Sequence, residues 1–437
     1  MKLTPLENWV IQRTGISEPC RELLEKYQLD LIRKAIRYTQ ENSRFYREYL
    51  KQIDANRIQS FADFQNLPFT FPWQVVGHSP EFLCVPQSKV KRIVTLKSSG
   101  TSGTEKRIYF TEDDLNLTVD FFKYGMSCLV DESDAVLVLL PGNSYGSIGD
   151  LLKKALFELG IRCFVGGMMT NAEETVRFIA RNSITCLVGI PIQILQLSRT
   201  EPKAFQQIKE VLLSTDYVPE VLISELTIKF GCRVFTHYGM TEMGYGGGVE
   251  CDALNGYHMR EPDLYFEIVD PATGLPVPDG EWGEVVFTTL TRKAMPLIRY
   301  RTGDIAAFSP LPCPCGTFMK TMKRVRGRLD NRIKISENNY FSLAELDEIV
   351  LSSPDVVDYN VCLSDDNCID IQIAVINKEF SEIGNRIREQ IVQYLHGKFG
   401  FESNPTIRIF RLSEPEIIVN SMTKRTVNQA APEERRP

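Results

Sequence analysis

The sequence predicts an α/β protein with a large N-terminal domain, about 1–327, a hinge at 328–331, and a small mobile α+β C-terminal domain, 332–437. Three observations predict it. From about 90 to 300, short apolar runs alternate with helical stretches, the pattern of βαβ units around a largely parallel sheet. After RVRGRLDNRIKI the order becomes helix, strand, strand, helix, strand, which suits a separate α+β domain that moves as a unit. And 437 residues are too many for one ordinary core.

In chain order, residues 17–52 carry Leu23, Leu24, Tyr27, Leu31, Ile32 and Ile36 at helical spacing, so this segment is expected to be helical and to pack on the main body. AVLVLL (135–140), IRCFVGG (161–167), TCLVGI (185–190) and CRVFTHYG (232–239) read as strands, alternating with helical stretches such as 149–160 and 171–182. Between 264 and 310, DLYFEIVD, GEVVFTTL and DIAAF are separated by the turn-rich PATGLPVPDGEWG, which predicts antiparallel strands and hairpins. The C-terminal domain is read as helix 343–353, strands 356–363 and 368–376, helix 381–399 and strand 405–411. The polar tail APEERRP is expected to be disordered.

A hydrophobic content of 43% with 24% charged residues is that of a soluble globular protein. The net charge of -6 gives no basic surface for nucleic acid, so a small-molecule substrate is expected instead. MKLTPLENWVIQRTG lacks the apolar core of a signal peptide, and no later apolar run has the length of a bilayer span. A cytoplasmic protein with no membrane partner is the expectation. The 11 cysteines are odd in number and scattered, which argues for reduced thiols.

The most informative segment is SSGTSGTEKR, 98–107. Ser98, Ser99, Gly100, Thr101, Ser102 and Gly103 make a loop whose backbone N–H groups can approach a polyphosphate, while Lys106 or Arg107 offsets its charge. A flexible turn has the same letters, and the P-loop pattern G-x-x-x-x-G-K-[ST] cannot be fitted to them. A second feature is the set Cys251, His258, Cys313 and Cys315, spaced Cys-x6-His and Cys-x-Cys. Three thiolates and an imidazole are a common closed structural zinc set; unrelated buried cysteines are the alternative.

Three more motifs follow the SSGTSG loop: HYGMTEMG at 237–244, RYRTGD at 299–304 and GRLD at 327–330. In this order the four resemble the phosphate loop, Y-G-x-T-E segment, ribose-binding segment and hinge of the adenylate-forming superfamily, which contains acyl-CoA synthetases, adenylation domains and luciferases. Glu250 and Cys251 followed by Gly256 and His258, the DPATG turn, PLIRYRTGD and CPCG look most like phenylacetate-CoA ligases and the synthetases that adenylate a deazaflavin coenzyme. The resemblance spans about 35–427.

It implies an AMP-forming acid–thiol ligase, with ATP, Mg²⁺ and coenzyme A as cofactors and an aryl or arylacetic acid as substrate. A carrier-protein phosphopantetheine is the alternative thiol. Beside that, Tyr238 offers a ring for adenine at the end of a strand, with Gly239 next to it. Thr241 can donate to the α-phosphate, and Glu242 supplies the carboxylate that a phosphate-bound Mg²⁺ needs. Asp304 can accept both ribose hydroxyls, Arg328 can contact ribose or phosphate, and Asp330 is the pivot of the small domain. Tyr145, Gly146 and His237 are placed on the acyl side of the site, although a turn, a helix and a structural histidine explain the same letters. Lys424, or Arg425 as a fallback, takes the place of the superfamily's C-terminal lysine, a cation for the pyrophosphate oxygen that gains charge.

Two other readings share these motifs: adenylation of an acidic hydroxyl, and a nucleotide-binding member without turnover. The chain also departs from the pattern. Thr423 replaces the usual glycine before Lys424, and KISENNYFS has Glu337 at a glycine position and Ser342 at a proline position. Bulk and negative charge at Glu337 predict that the thiol arm passes slowly, so that acyl-AMP accumulates or a carrier protein is the acceptor.

Overall fold

A computed structural model of the chain describes residues 3–97, 105–335, 339–364, 368–376, 379–400, 405–411 and 427–429. Its contacts divide the chain into two units: Met1–Asp134, Pro141–Val165 and Phe235–Val325 form the first, and Ala135–Leu140, Gly166–Val234 and Arg326–Pro437 the second. The domains expected from the sequence were 1–327 and 332–437. The grouping of 135–140 and 166–234 with the C-terminal residues was not expected.

The first unit opens with helices Pro5–Thr14, Arg21–Asn42 and Arg44–Tyr49. Thr4 and Glu7 form a reciprocal capping box at the first, with Pro5 just inside it. The second buries Leu24, Gln28, Ile32, Ala35, Ile36 and Thr39, a stripe at three- and four-residue steps that fits the predicted periodicity. Tyr46, fully buried, bonds Thr70 Oγ1 at 3.0 Å and accepts the Ile298 N–H at 2.9 Å, tying these helices to the start of the RYRTGD segment. Arg299 completes the tie through a buried ion pair with Glu267, at 3.0 Å, and a 2.6 Å bond to the Gln65 carbonyl.

Three antiparallel strands, Leu264–Val269, Gly283–Thr289 and Tyr300–Ala306, carry that segment, as the alternation and turns predict. A second antiparallel set joins Thr321–Met322, Tyr257–Met259 and Gly248–Glu250 to the last residues of Arg233–Tyr238. The strands Arg92–Lys97 and Glu105–Phe110 pair antiparallel on either side of 98–104.

In the second unit, Ala135–Val138, Cys186–Gly189 and Glu210–Leu213 run parallel and almost wholly buried, with helices Ala172–Asn182, Pro191–Thr200 and Glu220–Phe230 along the same stretch of chain. The C-terminal part pairs Val356–Ser364 antiparallel with Cys368–Val375, which pairs parallel with Thr406–Arg411. Helices Leu343–Val350 and Phe380–Phe399 accompany them. Arg199, whose side chain is 3% exposed, links these stretches: it pairs with Glu225 at 2.8 Å and donates to the carbonyls of Leu351, Ser353 and Val356. Tyr217 donates to Glu348 at 2.8 Å, and the same carboxylate accepts the Glu220 N–H at the start of a helix. No described helix is long and apolar enough to cross a membrane.

Candidate active site

The strand Arg233–Tyr238 delivers the site's central loop, and the loop is tightly wound for physical reasons. A Cβ on Gly239 would meet the Tyr245 carbonyl oxygen at 2.1 Å, so only glycine fits there. Thr241–Met243 form one 3-10 turn, closed by Gly244 in the left-handed region. Tyr245 follows at φ 68, an uncommon conformation for an aromatic residue, held by its 2.9 Å bond to the Met240 carbonyl and by stacking on Phe110 at 5.5 Å and 6°.

This winding buries Glu242, which is 2% exposed. Its carboxylate pairs with Lys106, and the Tyr300 hydroxyl lies 3.4 Å from it and 3.3 Å from the Lys106 ammonium. Buried Arg292 donates to the Glu242 carbonyl at 3.0 Å while its guanidinium lies 4.2 Å from the centre of the Phe110 ring. A carboxylate so enclosed is matched by positive charge, as burial requires. Arg107, by contrast, is exposed and pairs with Glu105.

Asp304 is fully buried on the strand Tyr300–Ala306, where its carboxylate accepts from the Tyr238 hydroxyl at 3.1 Å. The ends of two motifs 66 residues apart thus meet. Tyr238 is itself buried, its ring 5.8 Å from that of Tyr257. Thr241, half-buried, stands beside Glu242 in the 3-10 turn.

Of the residues expected on the acyl side, His237 is half-buried as a residue, but its Nε2 is sealed from solvent. It packs 6.3 Å from the Phe121 ring and 6.0 Å from Phe122. Burial pushes its pKa down to about 4, so the ring is neutral at neutral pH. Gly146 is buried at φ 69 and bonds Asp150 at 2.8 Å. Tyr145 is 47% exposed and directs its hydroxyl to Glu112 at 2.5 Å, with Lys154 above its ring. Tyr145 is therefore engaged on the surface, whereas His237 lies among aromatic side chains.

Cys251, His258, Cys313 and Cys315 come together with their ligand atoms all within 4.8 Å of one another. Cys251 Sγ lies 3.7 Å from Cys313 Sγ, and Cys315 Sγ 3.7 Å from His258 Nε2. A tetrahedral zinc ion, with thiolates at about 2.3 Å and an imidazole at about 2.0 Å, spaces its ligand atoms roughly 3.6–3.8 Å apart, which the two 3.7 Å separations match. Burial opposes ionisation of the Cys313 thiol, yet bonding to His258 and Cys315 outweighs it and brings the pKa down to about 7. Next to the cluster, buried Glu250 accepts from Thr236, Gly256 and Arg324.

Arg328 and Asp330 lie in the second unit, half-buried and exposed respectively, where the Asn331 N–H bonds the Arg328 carbonyl at 3.3 Å. Ser98, Ser99, Gly100, Thr101, Ser102, Gly103, Glu337, Lys424 and Arg425 fall outside the described residues. Sequence reasoning missed Arg292, Tyr300, Tyr245 and Glu284. Only Tyr300 carried a signal, because period-two alternation within RYRTGD turns Tyr300, Thr302 and Asp304 to one buried side.

Residues 80–290 match the family model described as AMP-binding enzyme. The chain is 27% identical over 398 residues to a phenylacetate-coenzyme A ligase of Thermus thermophilus, covering 86% of this chain and 87% of that one. It is 27% identical over 366 residues to a phenylacetate-coenzyme A ligase of Aromatoleum evansii, with 78% of each chain covered. Among solved structures, a 2-hydroxyisobutyryl-CoA ligase in complex with R3-HIB-AMP has the same fold, with a TM-score of 0.77 at 17% identity over 93% of this chain and 90% of that one.

Proposed function

We propose that this chain, which belongs to the adenylate-forming superfamily, activates an aryl or arylacetic acid with MgATP and passes the acyl group to coenzyme A. The observation that carries the reading is the pair of buried carboxylates in one unit, Glu242 matched to Lys106 and Asp304 to Tyr238, on the motifs shared with acid–CoA ligases. A carboxylate oxygen attacks the α-phosphorus of ATP and pyrophosphate leaves. A thiolate then attacks the acyl carbon and AMP leaves. The first step needs no catalytic base, since the acid is ionised at neutral pH, and catalysis is positioning and charge stabilisation.

In this reading Ser98, Ser99, Gly100, Thr101, Ser102 and Gly103 cradle the phosphates and Thr241 donates to the α-phosphate. Tyr238 and Gly239 border adenine, Asp304 accepts the ribose hydroxyls, and Arg328 contacts ribose or phosphate. The buried Glu242 carboxylate, already matched by one cation, suits a second, and would hold Mg²⁺ together with the nucleotide's phosphates. Bound there, Mg²⁺ would neutralise phosphate charge. Lys424 from the mobile C-terminal domain, which pivots at Asp330, stabilises the leaving pyrophosphate. His237 and Gly146 border the acyl group, and Tyr145 its entrance, in keeping with that side chain's exposure.

Cys251, His258, Cys313 and Cys315 would hold a structural zinc, because all four positions are filled and none is left for substrate. All eleven cysteines are free thiols, which suits a cytoplasmic enzyme. Coenzyme A-dependent release of AMP, measured over aryl, arylacetic and alkyl acids, tests the reading. Turnover is expected with aryl or arylacetic acids, and its absence with every acid overturns it.

A further inference from the structure

We propose that Glu284, a buried carboxylate to which no motif points, is a positioning residue that aims Asp304 at the nucleotide ribose. The inference rests on the ribose role of Asp304 proposed above. The strand pairing makes the case. Val286 pairs with Arg301 and Glu284 with Ile305, so Val285 alone lies opposite Thr302, Gly303 and Asp304. The strand carrying Asp304 therefore bulges by two residues. A bulge of this kind re-aims side chains and leaves backbone groups without their ladder partners.

Side chains take over those lost partnerships. Glu284 Oε1 accepts the Gly303 N–H at 2.9 Å, where Gly303 sits in the left-handed region at φ 75. Thr302 Oγ1 donates to the Val285 carbonyl at 2.7 Å and accepts the Asp304 N–H at 3.0 Å. The other oxygen of Glu284, Oε2, accepts Arg301 Nε at 2.7 Å. Arg301 is held in turn by the Pro271 carbonyl at 2.8 Å and lies 5.3 Å from the Phe69 ring centre. Glu284 is 2% exposed, so water cannot replace it. Its carboxylate fixes the Thr302–Gly303 peptide, the Thr302 hydroxyl fixes the Gly303–Asp304 peptide, and together they set the direction in which the Asp304 side chain leaves the strand.

Glutamine at this position is a sharp test. It has nearly the same shape, but its amide group would face one of two donors, the Gly303 N–H or the Arg301 guanidinium. The measurement is the ratio of Kd for 2′-deoxy-ATP to Kd for ATP by equilibrium binding, which needs no turnover, for wild type, Glu284→Gln, Thr302→Val and Asp304→Ala, with KM and kcat in acid-dependent pyrophosphate exchange followed for the first three. We expect Glu284→Gln to raise KM for ATP about tenfold while kcat and KM for the acid change little, the loss of one buried charge-assisted bond read as binding. The preference for ATP over 2′-deoxy-ATP should shrink toward that of Asp304→Ala, a change that general destabilisation does not produce.

Thr302→Val, which removes the other brace, should act in the same direction and serves if Glu284→Gln fails to fold. If both variants keep the wild-type preference while Asp304→Ala loses it, the positioning role is wrong. If Asp304→Ala itself keeps the preference, the ribose assignment is wrong and the inference falls with it.

Discussion

Glu242 and Asp304 are acids that a soluble protein ordinarily leaves in water, yet they are 2% and 0% exposed. Each keeps a polar partner, and each is expected to meet a ligand group that is charged or rich in hydroxyls. Glu242→Ala and Asp304→Ala should each abolish acid-dependent pyrophosphate exchange, a loss of at least about 10²-fold for a preorganised polar contact. Circular dichroism should show both variants folded, and full exchange in either would remove its assignment. His237 gives a prediction on stability. Burial holds its pKa at about 4 in the folded protein, below the ordinary 6.5, so as pH falls the unfolded chain takes up this proton first. The stability attached to the neutral ring is complete above 6.5 and is lost between 6.5 and about 4, amounting to about 3 kcal/mol. His237→Phe, which keeps an aromatic ring between Phe121 and Phe122, should flatten that part of the stability–pH curve in urea titrations. An unchanged slope would mean that the imidazole titrates normally.

At the scale of elements, helices and strands were legible wherever a short-range period sets them. The strand Cys186–Gly189 and the helix Ala172–Asn182 fall inside the stretches their apolar spacing marks. Ser342, read from the sequence as a departure from a proline position, is an N-cap: its hydroxyl accepts the Glu345 N–H at 3.2 Å in a capping box that starts Leu343–Val350. The parts of the site that were not legible are those made by long-range polar pairing. Arg292 reaches a carbonyl 50 residues away and Glu284 an N–H 19 residues away, and neither residue carries a local pattern. The cysteine–histidine cluster was visible because soft ligands in two short pairs are distinctive even when the pairs lie far apart. We expect about one zinc per chain by elemental analysis, and Cys313→Ser should lose it and lower the melting temperature, since a closed site contributes to folding. Metal-free protein with four thiol- or imidazole-reactive residues in the native state would contradict the site.

At the scale of the whole molecule, the proposed reaction divides into two partial reactions that use different groups. Lys424→Ala should slow adenylation by about 10²–10³, the scale of removing one preorganised charge, and should spare thioester formation from preformed acyl-AMP. Equal loss of both half-reactions would mean misfolding or a wrong lysine. Glu337, at a position that the family resemblance of the sequence assigns to glycine, leads us to expect accumulated acyl-AMP at saturating coenzyme A, and Glu337→Gly should relieve it. All of this depends on one claim, that the chain joins a carboxylate to AMP. Isotope exchange between pyrophosphate and ATP, run with arylacetic acids and no thiol present, tests that claim most directly. Exchange is expected to require the acid and Mg²⁺ and to be lost in Asp304→Ala. Exchange that proceeds without any carboxylic acid, or only when an acidic hydroxyl compound such as a deazaflavin is supplied, would contradict that claim.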